Sequence, residues 1–405
     1  MNGKLLTTAI LTSLLVGGNA MASVARMAVL GAAPVITTAG SSSVTSNVAQ
    51  GSLWYDDEYN VFYNPSYIND NKNYVTVEKS VEGGFFKSEF ENFAYGVYLN
   101  RSASTAAGVQ TPGVTGKAIF MGTTVLSTQR PIDLFLGGDT GVKWGLHLAW
   151  AYNRDQTVAT ALNTGDEISV RYWHADFGAQ VMGLEPFVGT TFSSGYQANV
   201  TGLSANQGQQ NLFEFNVGTK YKYEGWTPYV AYKIYRENGV PVGGALEAQT
   251  SLKLLQFGVG HDTKVADGVH IQKHIGFLYA TGADDTAGST TSDQGRAFTQ
   301  YVLPLNVNLE AEATSWLTLR AGAAYDFWNE TKQARLTPGP NASATDRKKS
   351  NAGTTTFRVG STLKFGKLHV DSAFGNGTAA VANLDTTNVG FDSQLFALLS
   401  ASYHW

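Results

Sequence analysis

Hydrophobic and polar positions alternate along much of the chain, most clearly from Tyr301 to Trp328. In the first half of this stretch the odd positions are apolar, whereas the even positions include Asn306, Asn308 and Glu310. The alternation resumes after Thr314-Ser315. A period of two predicts strands, and so short a connection predicts an antiparallel hairpin. Each strand has about ten residues or more, enough to cross a bilayer when tilted. We expect the apolar face to meet lipid and the polar face to line a wet lumen.

The same alternation recurs from residue 74 to the carboxyl terminus and predicts sixteen strands. They are Tyr74–Lys79, Phe85–Phe90, Phe93–Arg101, Pro131–Gly137, Gly141–Asn153, Asp166–Phe177, Glu185–Tyr196, Leu212–Tyr223, Trp226–Arg236, Gln249–Asp262, His270–Gly282, Tyr301–Glu312, Leu317–Trp328, Thr354–Phe365, Leu368–Gly375 and Gly390–Trp405. The first two are weak and flank a predicted turn at Glu82-Gly83-Gly84. Without them the count is fourteen, and both counts are even, as in single-chain bacterial barrels.

Tight connections alternate with long ones along this series. Turns such as 138–140 are followed by long loops such as 154–165. Outer-membrane barrels have short periplasmic turns and longer outer loops. The predicted fold is therefore all-β, a transmembrane antiparallel up-and-down β-barrel whose tight turns face the periplasm.

Composition agrees with this fold and excludes several other classes. The 405 residues have a formal net charge of −4, which gives no basic surface for nucleic acid. Mean hydropathy is −0.13. This value does not exclude a membrane barrel, because apolar and polar residues alternate along its strands and average out. The chain has no cysteine, so neither disulfides nor thiolate chemistry are available.

The amino terminus predicts export and defines three regions. Lys4 precedes an apolar stretch, and Ala20-Met21-Ala22 fits a signal-peptidase site. We expect residues 1–22 to be a signal peptide, 23–72 a periplasmic or lumenal segment, and 73–405 the barrel.

Residues 53–68 are dense in aromatic and acidic side chains without sustained alternation. They contain Asp56-Asp57, Phe62-Tyr63 and Asn64-Pro65. This segment resembles the amino-terminal segment of the long-chain fatty-acid transporter family of outer-membrane barrels, although Ser66 departs from that family's Ala. The resemblance implies a plug inside the barrel that includes Asp56, Asp57, Asn64 and Pro65. An ordinary Asn-Pro turn beside an aromatic cluster is the alternative.

The last strand carries apolar residues at alternate positions and ends in Trp405. It resembles the carboxy-terminal signal strand of bacterial outer-membrane proteins, in which Phe is commoner at the end. The resemblance implies recognition by the barrel-assembly machinery.

Projecting the alternation inward predicts charged residues near the middle of the lumen. They form a mildly basic belt opposed by two acids, comprising His147, Arg171, Lys233, Arg320 and Arg358 against Glu214 and Asp326. Such a transverse field tunes ion preference in pores. Alternatively, these charges only solvate the lumen and pair across strands, and Asn308 is predicted to face Arg320.

The loop from Ser102 to Gln129 has an apolar centre that includes Ile119, Phe120 and Met121. Long loops of this composition are usually functional, so we expect it to fold into the barrel mouth and narrow the pore. Packing against a neighbouring subunit is the alternative.

No catalytic, cofactor or metal motif is apparent. The seven histidines are scattered, and neither Asp56-Asp57 nor Asp284-Asp285 has the pattern of a calcium loop. The leading interpretation is a porin-like protein of the Gram-negative outer membrane that passes small solutes or ions by diffusion. The alternatives are a plugged transporter for hydrophobic molecules and a structural or adhesive barrel. Expected partners are membrane lipid, lipopolysaccharide, small solutes and, in a homotrimer, copies of the chain. The basic cluster Arg347-Lys348-Lys349 either only solvates a loop tip or contacts lipopolysaccharide phosphates.

Overall fold

The computed structural model describes residues 24–31, 36–37, 45–46, 51–78, 82–89, 92–99, 101, 132–156, 167–199, 207–240, 248–285, 296–335, 347–351, 355–376 and 395–405. Its barrel is closed and antiparallel, with sixteen strands. In chain order they are β1 Tyr74–Glu78, β2 Glu82–Ser88, β3 Phe93–Leu99, β4 Ile132–Asp139, β5 Lys143–Gln156, β6 Glu167–Gln180, β7 Leu184–Asn199, β8 Gln207–Tyr221, β9 Trp226–Val240, β10 Ala248–Ala266, β11 Val269–Asp285, β12 Arg296–Thr314, β13 Leu317–Arg335, β14 in two segments Arg347–Asn351 and Thr355–Phe365, β15 Leu368–Asn376 and β16 Leu395–His404. Both segments of β14 pair with β13, and β16 pairs with β1 to close the barrel.

The sixteen predicted strands are confirmed, with one local correction. The turn predicted at Glu82-Gly83-Gly84 is wrong, because these residues belong to β2. Gly83 is paired with Val77 of β1 on one side and with Leu99 of β3 on the other. A Cβ on Gly83 would lie 2.4 Å from a carbonyl oxygen of β1, so this glycine permits close strand approach and does not make a turn.

The two faces of the barrel differ as the alternation predicts. In β12, Asn306, Asn308 and Glu310 are buried, whereas Val307 and Leu309 are 55% and 41% exposed. An apolar outer face and a polar inner face are typical of transmembrane barrels. Among the described residues, no helix is long and apolar enough to cross a membrane.

The longest strands are longer than a bilayer requires. β10, β12 and β13 have 19 residues each. At the rise and tilt of such strands this is roughly 45 Å along the barrel axis, whereas the apolar band is about 25 Å tall. These strands therefore project beyond the band on the side of the long loops.

Residues 24–31 and 51–73, which we call the N-terminal segment, pack against the inward side chains of the barrel. Helix α1, Val24–Leu30, is fully buried and contacts β12 to β16. Two 3₁₀ helices, Glu58–Phe62 and Pro65–Asn69, are also buried. The second contacts β3 to β6, across the barrel from α1, and Tyr67 donates a hydrogen bond to Glu185 of β7. The segment also includes side chains that reach β8 and β11.

Candidate functional site

The second 3₁₀ helix begins where the sequence places an Asn-Pro pair. The Asn64 side chain accepts a hydrogen bond from the backbone N–H of Ser66 at 3.2 Å, and Pro65 occupies the first turn, where its missing N–H costs nothing. The helix rests on a row of paired inward glycines, Gly137 of β4, Gly145 of β5 and Gly178 of β6, which we call the glycine groove.

The glycine groove is shaped to the N-terminal segment. A Cβ on Gly145 would lie 2.1 Å from the Pro65 carbonyl oxygen, and a Cβ on Gly178 would lie 1.9 Å from Asn64 Oδ1. No larger residue fits at either position without moving the segment. Glycine here permits a close approach between a strand and a second stretch of backbone.

Asp56 and Asp57 bind the segment to opposite sides of the interior. Asp56 Oδ2 lies 2.7 Å from Lys222 Nζ and Asp56 Oδ1 lies 3.2 Å from Lys220 Nζ, both from the end of β8. The two lysines hold the pKa of Asp56 well below its usual range. Asp57 caps the first 3₁₀ helix and pairs with Arg26, and burial raises the pKa of Asp57 to about 7.

Helix α1 is tied to the wall through a chain of buried charges. Arg26 Nε lies 3.0 Å from Glu310 Oε2 of β12, and the same oxygen accepts from Arg320 Nε at 2.7 Å. Arg320 also lies 3.2 Å from Asp371 of β15. Each charged group is therefore close to at least one opposite charge, as buried ions require.

A second chain of charges crosses the wall from β3 to β9, at mid-height and above the first 3₁₀ helix. We call it the wall network; in spatial order it contains Arg101, Asp133, His147, Asp176, His174, Glu214 and Lys233. All of these side chains are at most 5% exposed. Consecutive members are 2.7 to 4.0 Å apart.

The hydrogen bonds of the wall network constrain its protons. His147 Nε2 and Nδ1 are each 2.8 Å from a carboxylate oxygen, of Asp133 and Asp176 respectively. If both carboxylates are ionised, both ring nitrogens must carry a proton, because only an N–H can donate. Arg101 lies 2.7 Å from Asp133, and Lys233 lies 3.5 Å from Glu214. The basic groups of the network are therefore paired with acids and do not form a free basic belt.

The wall network also contacts the N-terminal segment. The Arg101 guanidinium lies 4.4 Å from the ring centroid of Phe62 in the first 3₁₀ helix, a cation–π contact. Phe62 also packs edge-on against Phe135, which stacks on His147 at 4.5 Å. Displacing the segment would disturb the network through these rings.

Farther from the tight turns, the inward face changes from charged to apolar. A buried cluster, which we call the upper apolar cluster, spans β9 to β12 and comprises Tyr235, Leu252, Leu254, Leu278, Ala280 and Val302. The interior of a water-filled barrel is polar, so this cluster is unlike a porin lumen. Tyr172 packs against it and lies 3.4 Å from Glu214, which joins the cluster to the wall network.

The structure brings some of the predicted lumen residues together and separates others. His147, Glu214 and Lys233 are all in the wall network, and Arg320 is in the chain that holds α1. Arg320 lies opposite Glu310, which is the next inward residue of β12 after Asn308. The predicted pairing of Arg320 with Asn308 is therefore wrong. Asp326 and Arg358 lie on the inner face of β13 and β14 and are half-buried and buried, respectively.

Arg171 is not in the lumen, and this prediction is wrong. It is exposed on β6 beside Trp173, whereas Tyr172, His174 and Asp176 face inward. The outer face of β6 carries the charged Arg171, and the inner face carries the aromatic Tyr172. Hydrophobicity alone therefore does not tell the two faces of this strand apart. The constriction loop with Ile119, Phe120 and Met121 and the signal peptide at 1–22 lie outside the described residues.

Four of the seven members of the wall network were not predicted from the sequence. They are Arg101, which follows β3, and Asp133, Asp176 and His174. Their signal was present, because Asp133 and Asp176 are acids within otherwise apolar strands. Acids at such positions are costly unless paired. In the part of the chain that the structure describes, no three His, Asp or Glu side chains form a group that could hold a metal ion.

Comparisons with known proteins assign the chain to no family. No protein-family model matches it, and no curated protein matches it. The toluene transporter TodX from Pseudomonas putida is similar over 95% of this chain and 98% of its own, with 10% identity and a TM-score of 0.38. The translocator domain of the autotransporter NalP from Neisseria meningitidis is similar over 66% and 89%, with 12% identity and a TM-score of 0.30. BauA, the ferric preacinetobactin receptor from Acinetobacter baumannii, is similar over 75% and 53%, with 10% identity and a TM-score of 0.40. Likeness at this level indicates no function for this chain.

Proposed function

We propose that the protein is a passive transporter of small hydrophobic molecules in the outer membrane of a Gram-negative bacterium, and that its N-terminal segment acts as a plug. The membrane location is supported by the closed barrel, its exposed aromatic and aliphatic outer face and the tight-turn pattern. The expected signal peptide at 1–22 is consistent with export.

The observation that carries the proposal is the order of the interior layers. The N-terminal segment occupies the end near the tight turns, and the upper apolar cluster lies on the opposite side of the wall network. A hydrophobic molecule entering from outside gains free energy on such an apolar surface, whereas ions and sugars gain none. Arg101 and Lys233 of the wall network between the two layers are paired with acids, so we expect this layer to offer no steady path for ions.

Liposomes that contain the protein distinguish the proposed transporter from a porin. We expect such liposomes to take up a neutral hydrophobic probe faster than protein-free liposomes do, and to swell little in small sugars. The double variant Leu252→Asn/Leu254→Asn places two amides in the upper apolar cluster and should slow uptake of the probe. Phe257→Leu, on the outer face of the same strand, is the matched control. Rapid swelling in sugars with unchanged probe uptake would support a porin and refute our proposal.

A further inference from the structure

Four exposed cations lie on the outer face of the barrel, each above the outward apolar side chains of its own strand. They are Arg171 of β6, Arg236 of β9, Lys253 of β10 and Lys332 of β13. In β6, for example, Trp173 follows Arg171 on the same face toward the tight turn and is 39% exposed. All four side chains face the surroundings of the barrel and not its interior.

The height of Arg171 and Arg236 places these two residues at one edge of the apolar band. Arg171 precedes the turn residue Val181 by ten positions, and Arg236 follows Trp226, the first residue of β9, by ten positions. Ten residues correspond to roughly 24 Å along the barrel axis at the usual rise and tilt. The apolar band is about 25 Å tall, so both guanidinium groups reach the membrane surface opposite the tight turns.

Arg236 and Lys253 form a pair of like charges on neighbouring strands. Arg236 is opposite Ser251 and Lys253 is opposite Ile234, so the two cations are diagonal neighbours on one face. Such neighbours are about 7 Å apart, and like charges at this separation repel. Within the described part of the chain neither has an ion-pair partner, unlike Lys332, which lies 3.2 Å from Glu330. An external anion would relieve the repulsion.

We propose that Arg236 and Lys253 bind a phosphate group of a phosphorylated glycolipid in the outer leaflet. Arginine binds phosphate through paired N–H donors, and lysine adds a point charge. The exposed apolar residues below the pair, including Val230 and Phe257, offer a surface for the acyl chains of the same lipid. This inference rests on the membrane orientation in the proposed function and is independent of the transported solute.

The test measures binding of bisphosphorylated lipid A to the full-length protein in detergent by native mass spectrometry. We expect the wild type to bind it, and Arg236→Gln/Lys253→Gln to bind roughly 25-fold more weakly, since each cation at an anionic lipid surface contributes about fivefold. Lys273→Gln is the matched control, because Lys273 is also exposed on the outer face but lies four residues from the start of β11, near a tight turn. Its affinity should equal that of the wild type.

Two further probes separate the contributions of the acyl chains and of the phosphate group. The first is lipid A that lacks its phosphates, and the second is inorganic phosphate. We expect weak binding of the phosphate-free lipid, and no competition by millimolar inorganic phosphate. Equal affinity of the double variant and the wild type, or equal binding of lipid A with and without phosphates, would overturn the proposal. If the double variant does not fold, the salt dependence of wild-type binding decides: a phosphate contact weakens as salt rises, and a purely apolar contact does not.

Discussion

Filling the glycine groove should dislodge the N-terminal segment. In the double variant Gly145→Ala/Gly178→Ala, each new Cβ would lie 2.1 Å from the Pro65 carbonyl oxygen and 1.9 Å from Asn64 Oδ1, respectively. Ordinary contact begins near 3.4 Å, so the shortfalls are about 1.3 Å and 1.5 Å. The Pro65 oxygen is backbone, and Asn64 caps the following helix, so neither can move alone.

The expected cost follows from overpacking of a filled interior. Each inserted methyl group costs roughly 1–3 kcal/mol, and because the two contacts involve consecutive residues their costs are not additive. We expect the free energy of unfolding in urea to fall by about 2–4 kcal/mol. Since the segment shifts away from the wall, liposomes containing the variant should also become more permeable to small ions.

Ala175→Val is the matched control for this experiment. Ala175 belongs to the outward set of β6, between the inward residues His174 and Asp176, so the added methyl groups meet lipid. It should leave ion permeability unchanged. A double alanine variant with wild-type permeability and wild-type stability would show that the N-terminal segment is not held in the groove as the structure has it.

Three further outcomes follow from the buried charges. Burial and the neighbouring Asp57 raise the pKa of Glu58, so the folded protein holds the proton of this carboxyl group more tightly than the unfolded chain does. The folded protein therefore loses stability as pH rises above the pKa that the group has in the unfolded chain. Glu58→Gln should therefore raise the urea midpoint at pH 8 and change it little at pH 4; an equal shift at both values would contradict this sign. Asp176→Asn removes one of the two carboxylates on His147, and should lower the free energy of unfolding by about 3 kcal/mol, with Asp267→Asn on an exposed turn as the neutral control. Arg320→Gln leaves two buried carboxylates short of a cation and should lower stability by about 3–5 kcal/mol without altering ion selectivity; a selectivity change at full stability would restore a role for Arg320 in a conducting pore.

The barrel was predictable because its information is local and repeated. Alternation such as that around Asn306 and Asn308 assigns a face to every second residue, and tight turns fix strand pairing. Errors arose where that signal was ambiguous. Arg171 faces outward and Tyr172 faces inward, the reverse of what was expected. The Gly83-Gly84 pair resembles a turn in sequence, but it lies within a strand and lets the neighbouring strand approach closely.

The interior could not be predicted at the same level, because its contacts join residues far apart in the chain. Arg26 meets Glu310 and Tyr67 meets Glu185, at separations of 284 and 118 residues. The Asp56-Asp57 and Asn64-Pro65 pairs indicated a special local structure, and both form caps or ion pairs there. Their partners depend on how sixteen strands close, which no local pattern encodes.

Planar-bilayer conductance of the intact, refolded protein tests most directly whether the interior is closed to ions. With the N-terminal segment against the wall and the cations of the wall network paired with acids, we expect no steady channels in symmetric salt. The same preparation should take up a neutral hydrophobic probe in liposomes, which shows that the protein is folded and inserted. Large, steady and long-lived conductance from every inserted molecule would contradict the account and favour an open porin.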